Sequence, residues 1–484
     1  MLLLFGAVIS SYKIKKIYYL STITLFMLPA IVFWFYYSMT GNLIHADTLM
    51  AIYQTNSAEA KSYLREYLSV SSILFIIIAI LIIVTINFAM VYLPTFSFSA
   101  LKNKYCILLF IAIILLSNYL IRQNKDNIYW TIYKGTQEYV QQYTAFATNQ
   151  KNRKHHEISF TVDNNSKEGV YFLVLGESQN RNHMSAYGYT RDTTPWLAEK
   201  RNDSSFILYD NAYSCHTHTV PVQTYALTSK NQYNTIKPED ALSLIEVAKA
   251  AGFHTVWLSN QVQYSTWDTP ISVIASEADE QQWINKNIGE TTKTNYYDEK
   301  LVDCLKQITP KDKMLIIIHL MGNHGSYEDR YPNTYNKYNG ENRKLDTYDN
   351  SILYNDDVMK KLYETAKAFP HYQSLVYYAD HADAVDQDLA HDSSQFVFPM
   401  TYIPFYMAFS PEYQHKHPNK IATLKAHHSD YFTNDLIFNV MLSIMGISLG
   451  DIDEPQNDIS NKMYDNDGNR FTTLYGQKML EYKN

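Results

Sequence analysis

A chain of 484 residues is longer than one ordinary compact domain, so we expect a large domain joined to a second part. The formal net charge of −7, without a dominant basic cluster, argues against a nucleic-acid-binding protein. Residues 1–122 are strongly apolar, whereas the rest of the chain has the composition of a water-soluble protein.

Three apolar runs in the N-terminal part predict transmembrane helices, at residues 17–37, 70–93 and 105–121. Each approaches the roughly 20 apolar residues that a helix needs to cross the hydrocarbon core. The alternative is a buried helix of a soluble protein, but three such runs near one terminus favour membrane spans. No charged residue interrupts them, which weakens the case for a transporter with a proton or ion pathway.

Lysine residues set the expected orientation of these spans. Before the first span and between the second and the third lie Lys13, Lys15, Lys16, Lys102 and Lys104. Cytoplasmic loops carry an excess of lysine and arginine, which places both groups in the cytoplasm. Residues 38–69 are then an external loop, and everything after residue 122 is extracytoplasmic.

The cysteines leave two alternatives open. Of the three in the chain, Cys106 lies in a predicted span. Cys215 and Cys304 lie in the external part, where an oxidising compartment permits a disulfide. Two cysteines so far apart in sequence can pair or remain separate.

Residues 123–168 are polar and predict a linker with some helix, and residues 169–484 predict an α/β domain. Runs rich in branched or aromatic residues predict strands at 170–175, 254–259, 314–319 and 374–379. Helical stretches lie between them, at 240–251, 299–307 and 352–369. This alternation is typical of a mostly parallel sheet sandwiched by helices, with functional sites at the carboxyl ends of its strands.

Metal-binding and nucleophilic residue types follow several of these strands. Glu177 follows the first strand, His324 the third, and Asp380 and His381 the fourth, while residues 214–219 add hydroxyls and imidazoles. Zinc takes histidine nitrogen and carboxylate oxygen, and a bound metal can activate an alcohol nucleophile. Singly, such residues are more often helix caps, turns or surface histidines. Their convergence at one sheet edge favours a metal site.

One long motif, GESQNRNHMSAYGYTRDTTPWL, resembles the opening motif of the phosphoethanolamine transferases. These are alkaline-phosphatase-superfamily enzymes, and they include the lipid A modifiers behind polymyxin resistance. Further blocks resemble theirs in the same order: NAYSCHTHTV, HLMGNHG and YADHADA. The segment VPVQTYALTSKN resembles the branch that modifies the lipopolysaccharide core, and HADTLMAIYQTNSAEA resembles the family's external loop.

The resemblance implies a location and a fold. We expect an N-terminal transmembrane helical domain in the bacterial inner membrane and an alkaline-phosphatase-like catalytic domain in the periplasm. It also implies a reaction, the zinc-dependent transfer of phosphoethanolamine from phosphatidylethanolamine to an acceptor through a phospho-threonine intermediate. The acceptor is lipopolysaccharide, at its core or lipid A, or another envelope glycan, and membrane lipids are expected partners.

Roles are also implied for individual residues. Thr219 matches the threonine that carries the phosphoethanolamine intermediate, and the zinc ligands are Glu177, Thr219, Asp380 and His381. His324 and His391 match histidines of the substrate phosphate region. Thr55 and Glu59 match a threonine and a glutamate of the external loop near the donor headgroup. The alternative for this loop is an amphipathic helix on the membrane surface, with a solvated Glu59.

The chain departs from the family pattern at several positions. His216 stands where a glycine is usual, and His218 follows; we expect both to be exposed loop residues rather than extra ligands. Ala382 replaces a glycine after the Asp380–His381 pair. The second cysteine that the lipid A enzymes carry after the threonine is absent, and Tyr225 stands near its place.

Two other functions compete with this interpretation. A phosphoglycerol transferase or another sulfatase-superfamily hydrolase uses similar residues, although the C-x-P-x-R motif of sulfatases is absent here. A membrane-anchored scaffold built on a dead catalytic domain is the second alternative. The intact set of proposed metal ligands argues against a scaffold.

Overall fold

The chain divides into two compact units. The first comprises Met1–Ile52 and Lys61–Tyr139 and includes two long apolar helices, and the second comprises Tyr53–Ala60 and Val140–Asn484. The structure is a computed structural model. It describes residues 11–40, 60, 68–92, 119, 133–134, 137, 140–141, 144–145, 148–149, 158–163, 168–262, 270–285, 296–391 and 393–480.

The described part of the N-terminal unit consists mainly of helices α1, Tyr12–Thr40, and α2, Val70–Tyr92. Both are long and apolar enough to cross a membrane, over Tyr12–Met39 and Val70–Ala89. They coincide with the first two predicted spans. The third predicted span, at residues 105–121, lies outside the described residues.

A seven-stranded sheet forms the centre of the second unit, in the order β3-β9-β8-β2-β7-β5-β6. The strands are β2 Gly169–Gly176, β3 Phe206–Leu208, β5 His254–Val262, β6 Glu280–Asn285, β7 Lys313–His319, β8 Tyr372–Ala379 and β9 Phe405–Phe409. All neighbouring pairs from β8 to β6 are parallel, whereas β9 is antiparallel to both β8 and β3. The sheet is therefore mixed, with a parallel centre as the sequence predicts.

Alternating side chains of β2 explain why this sheet is buried on both faces. Tyr171, Leu173 and Leu175 belong to one core cluster, and Phe172 and Val174 belong to the other. Successive side chains of a strand point to opposite faces, so a continuous apolar run is typical of a strand covered on both sides. The sheet therefore separates two hydrophobic cores.

Helices cover both faces. The described helices of this unit are α3 Pro195–Lys200, α4 Thr219–Ala226, α5 Leu244–Ala250, α6 Pro270–Ser276, α7 Glu299–Gln307, α8 Arg343–Lys367, α9 Pro411–Lys416, α10 Pro418–Ala426 and α11 Ile437–Ile444. The core that contains Leu173 also contains residues of α5 and α11, and the core that contains Phe172 contains residues of α7 and α8. This arrangement agrees with the predicted sandwich.

Two predicted helices have different bounds in the structure. Helix α8 begins nine residues before the predicted start at 352, because Asn342 caps it by accepting a hydrogen bond from the Leu345 N–H at 3.1 Å. Helix α5 begins later than predicted, because Ser243 is its cap and accepts from the Glu246 N–H at 3.0 Å. Capping residues, rather than the apolar pattern, set both starts.

Six short strands form three smaller pairings outside the central sheet. They are β1 Thr161–Val162, β4 Asn211–Tyr213, β10 Tyr431–Thr433, β11 Ile447–Ser448 and the pair β12 Thr472–Thr473 and β13 Lys478–Met479. Strand β4 pairs in parallel with β10, and it leads into the loop before α4. Strands β12 and β13 form an antiparallel hairpin near the end of the described chain.

Candidate active site

Glu177 and Asp380 lie side by side because their strands are neighbours in the sheet. Strands β2 and β8 pair in register so that Gly176 lies opposite Ala379, and each acidic residue comes directly after its strand. The Ser178 hydroxyl donates to Glu177 Oε1 at 2.8 Å, and the Ser178 N–H donates to Asp380 Oδ1 at 3.0 Å. Both carboxylates are thereby fixed at the carboxyl edge of the sheet, as predicted for sites in parallel sheets.

His381 completes a compact group with these carboxylates. Its Nε2 lies 3.3 Å from Glu177 Oε1 and 3.3 Å from Asp380 Oδ2. Its backbone N–H donates to Asp380 Oδ1 at 2.7 Å, which orients the two neighbouring residues. All three side chains are at most 1% exposed.

Thr219 is the first residue of α4, and its hydroxyl points into this group. Its Oγ1 lies 3.1 Å from Glu177 Oε2 and 3.3 Å from His381 Nε2. The N-terminus of a helix carries a partial positive charge and free N–H groups, so it favours negative charge on a group placed there. An alcohol in this position is well placed to act as a nucleophile.

The electrostatics of the group favour a bound cation. Burial, followed by the nearby charge of Asp380, raises the pKa of the Glu177 carboxyl well above its usual range. Two adjacent buried carboxylates are costly unless a positive charge compensates them. Asp380 Oδ2 and His381 Nδ1 are buried without a hydrogen-bond partner among the described residues.

The donor set also fits a metal. One ligand atom each from Glu177, Asp380 and His381 lie within 4.8 Å of one another. Together with the Thr219 hydroxyl, they offer the oxygen and nitrogen donors that a divalent ion such as zinc takes in a four-coordinate site. The predicted ligands are therefore brought together in this structure.

His391 and His324 border this group. The His391 ring lies 4.1 Å from the His381 ring, and its Nδ1 forms a 2.6 Å hydrogen bond with Asp383 Oδ1. Asp383 also accepts from the Tyr327 hydroxyl at 2.6 Å. His381, Asp383 and His391 form a second group whose ligand atoms lie within 4.8 Å of one another.

The pKa of His324 reflects the same surroundings. Burial, followed by the charges of Arg330 and His391, lowers the pKa of its imidazole to about 3. His324 is therefore a neutral imidazole near neutral pH, able to donate one hydrogen bond and to accept another. Both histidines predicted for substrate phosphate lie beside the proposed metal ligands.

The prediction of exposed histidines before the nucleophile is wrong for His216. This side chain is only 2% exposed, and its ring lies 5.0 Å from the Tyr475 ring. His218 is half-buried, and its Nε2 lies 3.1 Å from the Ser393 hydroxyl. The sequence did not reveal that a distant C-terminal segment covers the loop.

Asn434 is a site residue that sequence reasoning missed. Its side-chain oxygen accepts from the Cys215 N–H at 2.9 Å, and its amide donates to the Asp380 carbonyl at 2.6 Å. It therefore joins the loop before Thr219 to the strand end that carries the acidic and imidazole groups. Its partners are remote in sequence, and no local signal indicates the contact.

Gly322 is a second missed residue, although the HLMGNHG motif contains it. It has φ +52°, and a Cβ there would lie 2.9 Å from backbone atoms of Glu177. Asp298 accepts from the Met321 and Gly322 N–H groups at 2.8 Å each, and the Asn323 N–H donates to the Glu177 carbonyl at 2.9 Å. The loop after β7 thus packs directly against Glu177 and is hydrogen-bonded to it.

Two questions that the sequence left open have different outcomes. Cys215 and Cys304 are free thiols in the structure, so they do not pair. Thr55 and Glu59 lie outside the described residues, and their expected role in the external loop stays a prediction.

Comparison with known proteins relates this site to a family. The family model "Sulfatase" matches residues 170–447. Phosphoethanolamine transferase EptC of Escherichia coli (strain K12) is 28% identical over 421 residues, which cover 79% of this chain and 72% of the relative. Phosphoethanolamine transferase CptA of Salmonella typhimurium is 25% identical over 426 residues, with the same coverage of 79% and 72%.

Solved structures agree with these relatives. The zinc complex of the C-terminal periplasmic domain of EcEptC from Escherichia coli is 27% identical and has a TM-score of 0.58. The match covers 63% of this chain and 90% of that domain. Integral membrane lipooligosaccharide phosphoethanolamine transferase A from Neisseria meningitidis shares the fold, with a TM-score of 0.65 at 20% identity over 93% of this chain and 89% of that one.

The comparisons, the two apolar helices and the carboxyl-edge site lead to one identification. The chain is a membrane-anchored protein with an alkaline-phosphatase-like domain. It belongs to the sulfatase family, and within that family to the phosphoethanolamine transferases.

Proposed function

We propose that this enzyme transfers phosphoethanolamine from phosphatidylethanolamine to a lipopolysaccharide, at its core or lipid A, or to another envelope glycan. Zinc is the proposed metal, held by Glu177, Thr219, Asp380 and His381. The observation that carries the proposal is the position of Thr219 Oγ1, 3.1 Å from Glu177 Oε2 and 3.3 Å from His381 Nε2 at the start of α4.

The reaction proceeds in two phosphoryl-transfer steps. In the first, Thr219 Oγ1 attacks the phosphorus of the donor; a threonine O–P bond forms, the bond to the diacylglycerol oxygen breaks, and diacylglycerol leaves with a proton. In the second, an acceptor hydroxyl attacks the same phosphorus; an acceptor O–P bond forms, the threonine O–P bond breaks, and the acceptor's proton ends on Thr219 Oγ1, which regenerates the hydroxyl. Each half is a phosphoryl transfer, in which positioning and charge stabilisation supply most of the catalysis.

The metal and the protein residues have separate tasks. When bound, zinc lowers the pKa of a coordinated hydroxyl and offsets negative charge on phosphate oxygens. Glu177 and His381 orient the Thr219 hydroxyl toward the donor. His324, as a neutral imidazole, donates a hydrogen bond to a phosphate oxygen. His391, beside the His381 ring, holds a phosphate oxygen or passes a proton to the departing alcohol.

The membrane part brings the enzyme to its lipid donor. The proposal includes a multi-pass arrangement in the bacterial inner membrane, with the catalytic domain in the periplasm. It also includes the external loop, where Glu59 pairs with the ethanolamine ammonium and Thr55 hydrogen-bonds to the headgroup. The two apolar helices support the membrane anchor of this proposal.

Intact-mass analysis of the purified full-length protein, incubated with phosphatidylethanolamine vesicles, tests the proposed intermediate. We expect a phosphoethanolamine adduct that is lost in Thr219→Ala and retained in Thr217→Ala. The matched control is informative because Thr217 lies in the same loop and is fully buried. An adduct retained in Thr219→Ala and lost in Thr217→Ala would contradict the assignment. A glycerol phosphate adduct from phosphatidylglycerol vesicles, with no adduct from phosphatidylethanolamine vesicles, would contradict the donor.

A further inference from the structure

The nucleophile loop, residues 214–218, contacts a segment that lies beyond the range matched by the sulfatase model. That range ends at residue 447. The segment is the C-terminal hairpin, residues 472–479, formed by β12, β13 and the turn between them. The hairpin therefore lies outside the part of the chain that the family model matches.

Two hydrogen bonds connect the hairpin to the backbone of the nucleophile loop. The Thr473 hydroxyl donates to the Ser214 carbonyl at 2.8 Å, and the Tyr475 N–H donates to the Cys215 carbonyl at 3.3 Å. These bonds satisfy two successive carbonyl groups that the irregular loop does not pair within a strand or helix.

The ring of Tyr475 adds side-chain contacts on both sides of the nucleophile. It stacks on Tyr225 with ring centroids 4.2 Å apart and an angle of 26°, and it lies 5.0 Å from the His216 ring. Cys215 is four residues before Thr219, and Tyr225 is six residues after it, in the last part of α4. One residue thus contacts the chain before and after the reacting hydroxyl.

The turn of the hairpin has an unfavourable backbone conformation, which contacts with the surroundings hold in place. Leu474 and Tyr475 have φ values of 52° and 55°, and Gly476 follows at 86°. Two successive side-chain-bearing residues in left-handed backbone are unusual, and such conformations persist where the surroundings hold them. Gln232 holds both ends of the turn, since its Nε2 donates to the Thr472 carbonyl at 3.0 Å and its Oε1 accepts from the Gly476 N–H at 3.0 Å.

Cys215 is a free, buried thiol, so no disulfide holds the nucleophile loop among the residues that the structure describes. We propose that Tyr475 is a positioning residue, which holds the nucleophile loop through its ring on Tyr225 and its N–H on Cys215 so that Thr219 points at Glu177 and His381. This inference rests on the proposed function, in which Thr219 is the nucleophile.

Three variants of the full-length, zinc-loaded protein test the proposal. Tyr475→Ala removes the ring, and Tyr475→Phe keeps both the ring and the N–H. Tyr335→Ala is the control, because Tyr335 is also half-buried and also contacts another tyrosine ring, that of Tyr354 at 4.9 Å. Tyr335 packs against the core on the other side of the sheet. The measurements are the rate of adduct formation in a single turnover, kcat and KM with phosphatidylethanolamine vesicles, zinc content, and hydrogen exchange of residues 214–225.

We expect Tyr475→Ala to lower the adduct rate and kcat about 10- to 100-fold, because a displaced nucleophile loses its attack geometry. KM and zinc content remain those of the wild type, exchange in 214–225 becomes faster, and Tyr475→Phe restores the rate. The inference is overturned if Tyr475→Ala forms the adduct as fast as Tyr335→Ala does. It is also overturned if the slower adduct formation of Tyr475→Ala is explained by a lower zinc content. Wild-type protein without any adduct would instead overturn the proposed function, and unchanged exchange would still decide against the positioning role.

Discussion

Replacing Gly322 by alanine should weaken metal binding without any change to a proposed ligand. Gly322 has φ +52°, and an added Cβ would meet the Cβ, N and O of Glu177 at 2.9 Å each. Left-handed backbone costs a residue with a Cβ about 1–2 kcal/mol. Overpacking of a tight contact adds about 1–3 kcal/mol. The neighbouring atoms belong mainly to backbone and cannot rotate away, so Glu177 itself has to move.

The expected result is a zinc affinity lower by about 10- to 100-fold, the usual effect of disturbing the residues that support a ligand. Titration of the full-length protein against a competing zinc chelator measures this affinity. Gly450→Ala is the matched control, because Gly450 has φ +68° and nothing within 4 Å of an added Cβ. The reasoning is refuted if Gly322→Ala binds zinc as tightly as Gly450→Ala.

Three other substitutions test separate parts of the site. His381→Ala should lose most of the zinc measured by elemental analysis, whereas the exposed His428→Ala should keep it; full occupancy in His381→Ala would remove His381 from the ligand set. Asn434→Ala leaves the buried Cys215 N–H without its partner, at about 1–3 kcal/mol, and removes one of two donors to the Asp380 carbonyl, the other being the Ser214 hydroxyl. Thermal unfolding in detergent should therefore show lower stability than the half-buried control Asn439→Ala, and equal stability would contradict the bridging role. Glu59→Gln should reduce transfer from phosphatidylethanolamine strongly while zinc is retained, and unchanged kinetics would leave the external loop as scaffolding.

The central strands and the convergence of the proposed ligands at one sheet edge were predictable because their signals are local. Apolar runs such as that of β2 are continuous when both faces of a sheet are buried, and polar residues directly after them mark the carboxyl edge. Helix α7 has the predicted bounds because its apolar residues Leu301, Val302 and Leu305 repeat at helical spacing. The family motifs then assigned roles to Glu177 and Thr219.

Features set by remote contacts were not predictable. Strands β3 and β9 are short, and β9 runs against its neighbours, so neither carries the signal of a long parallel strand. Asn434 contacts Cys215 and Asp380 across long separations, and Tyr475 reaches the nucleophile loop from the C-terminal hairpin. Burial of His216 follows from that hairpin, and a single sequence does not indicate which loop a hairpin covers.

Mass spectrometry of envelope glycolipids tests the central claim most directly. Cells that express the full-length protein are compared with cells that express Thr219→Ala at the same level and with cells that lack the protein. We predict that lipopolysaccharide or another envelope glycan gains the mass of one phosphoethanolamine group only with the wild-type protein. Identical glycolipid and glycan profiles in all three strains, with the wild-type protein present in the membrane and loaded with zinc, would contradict the account.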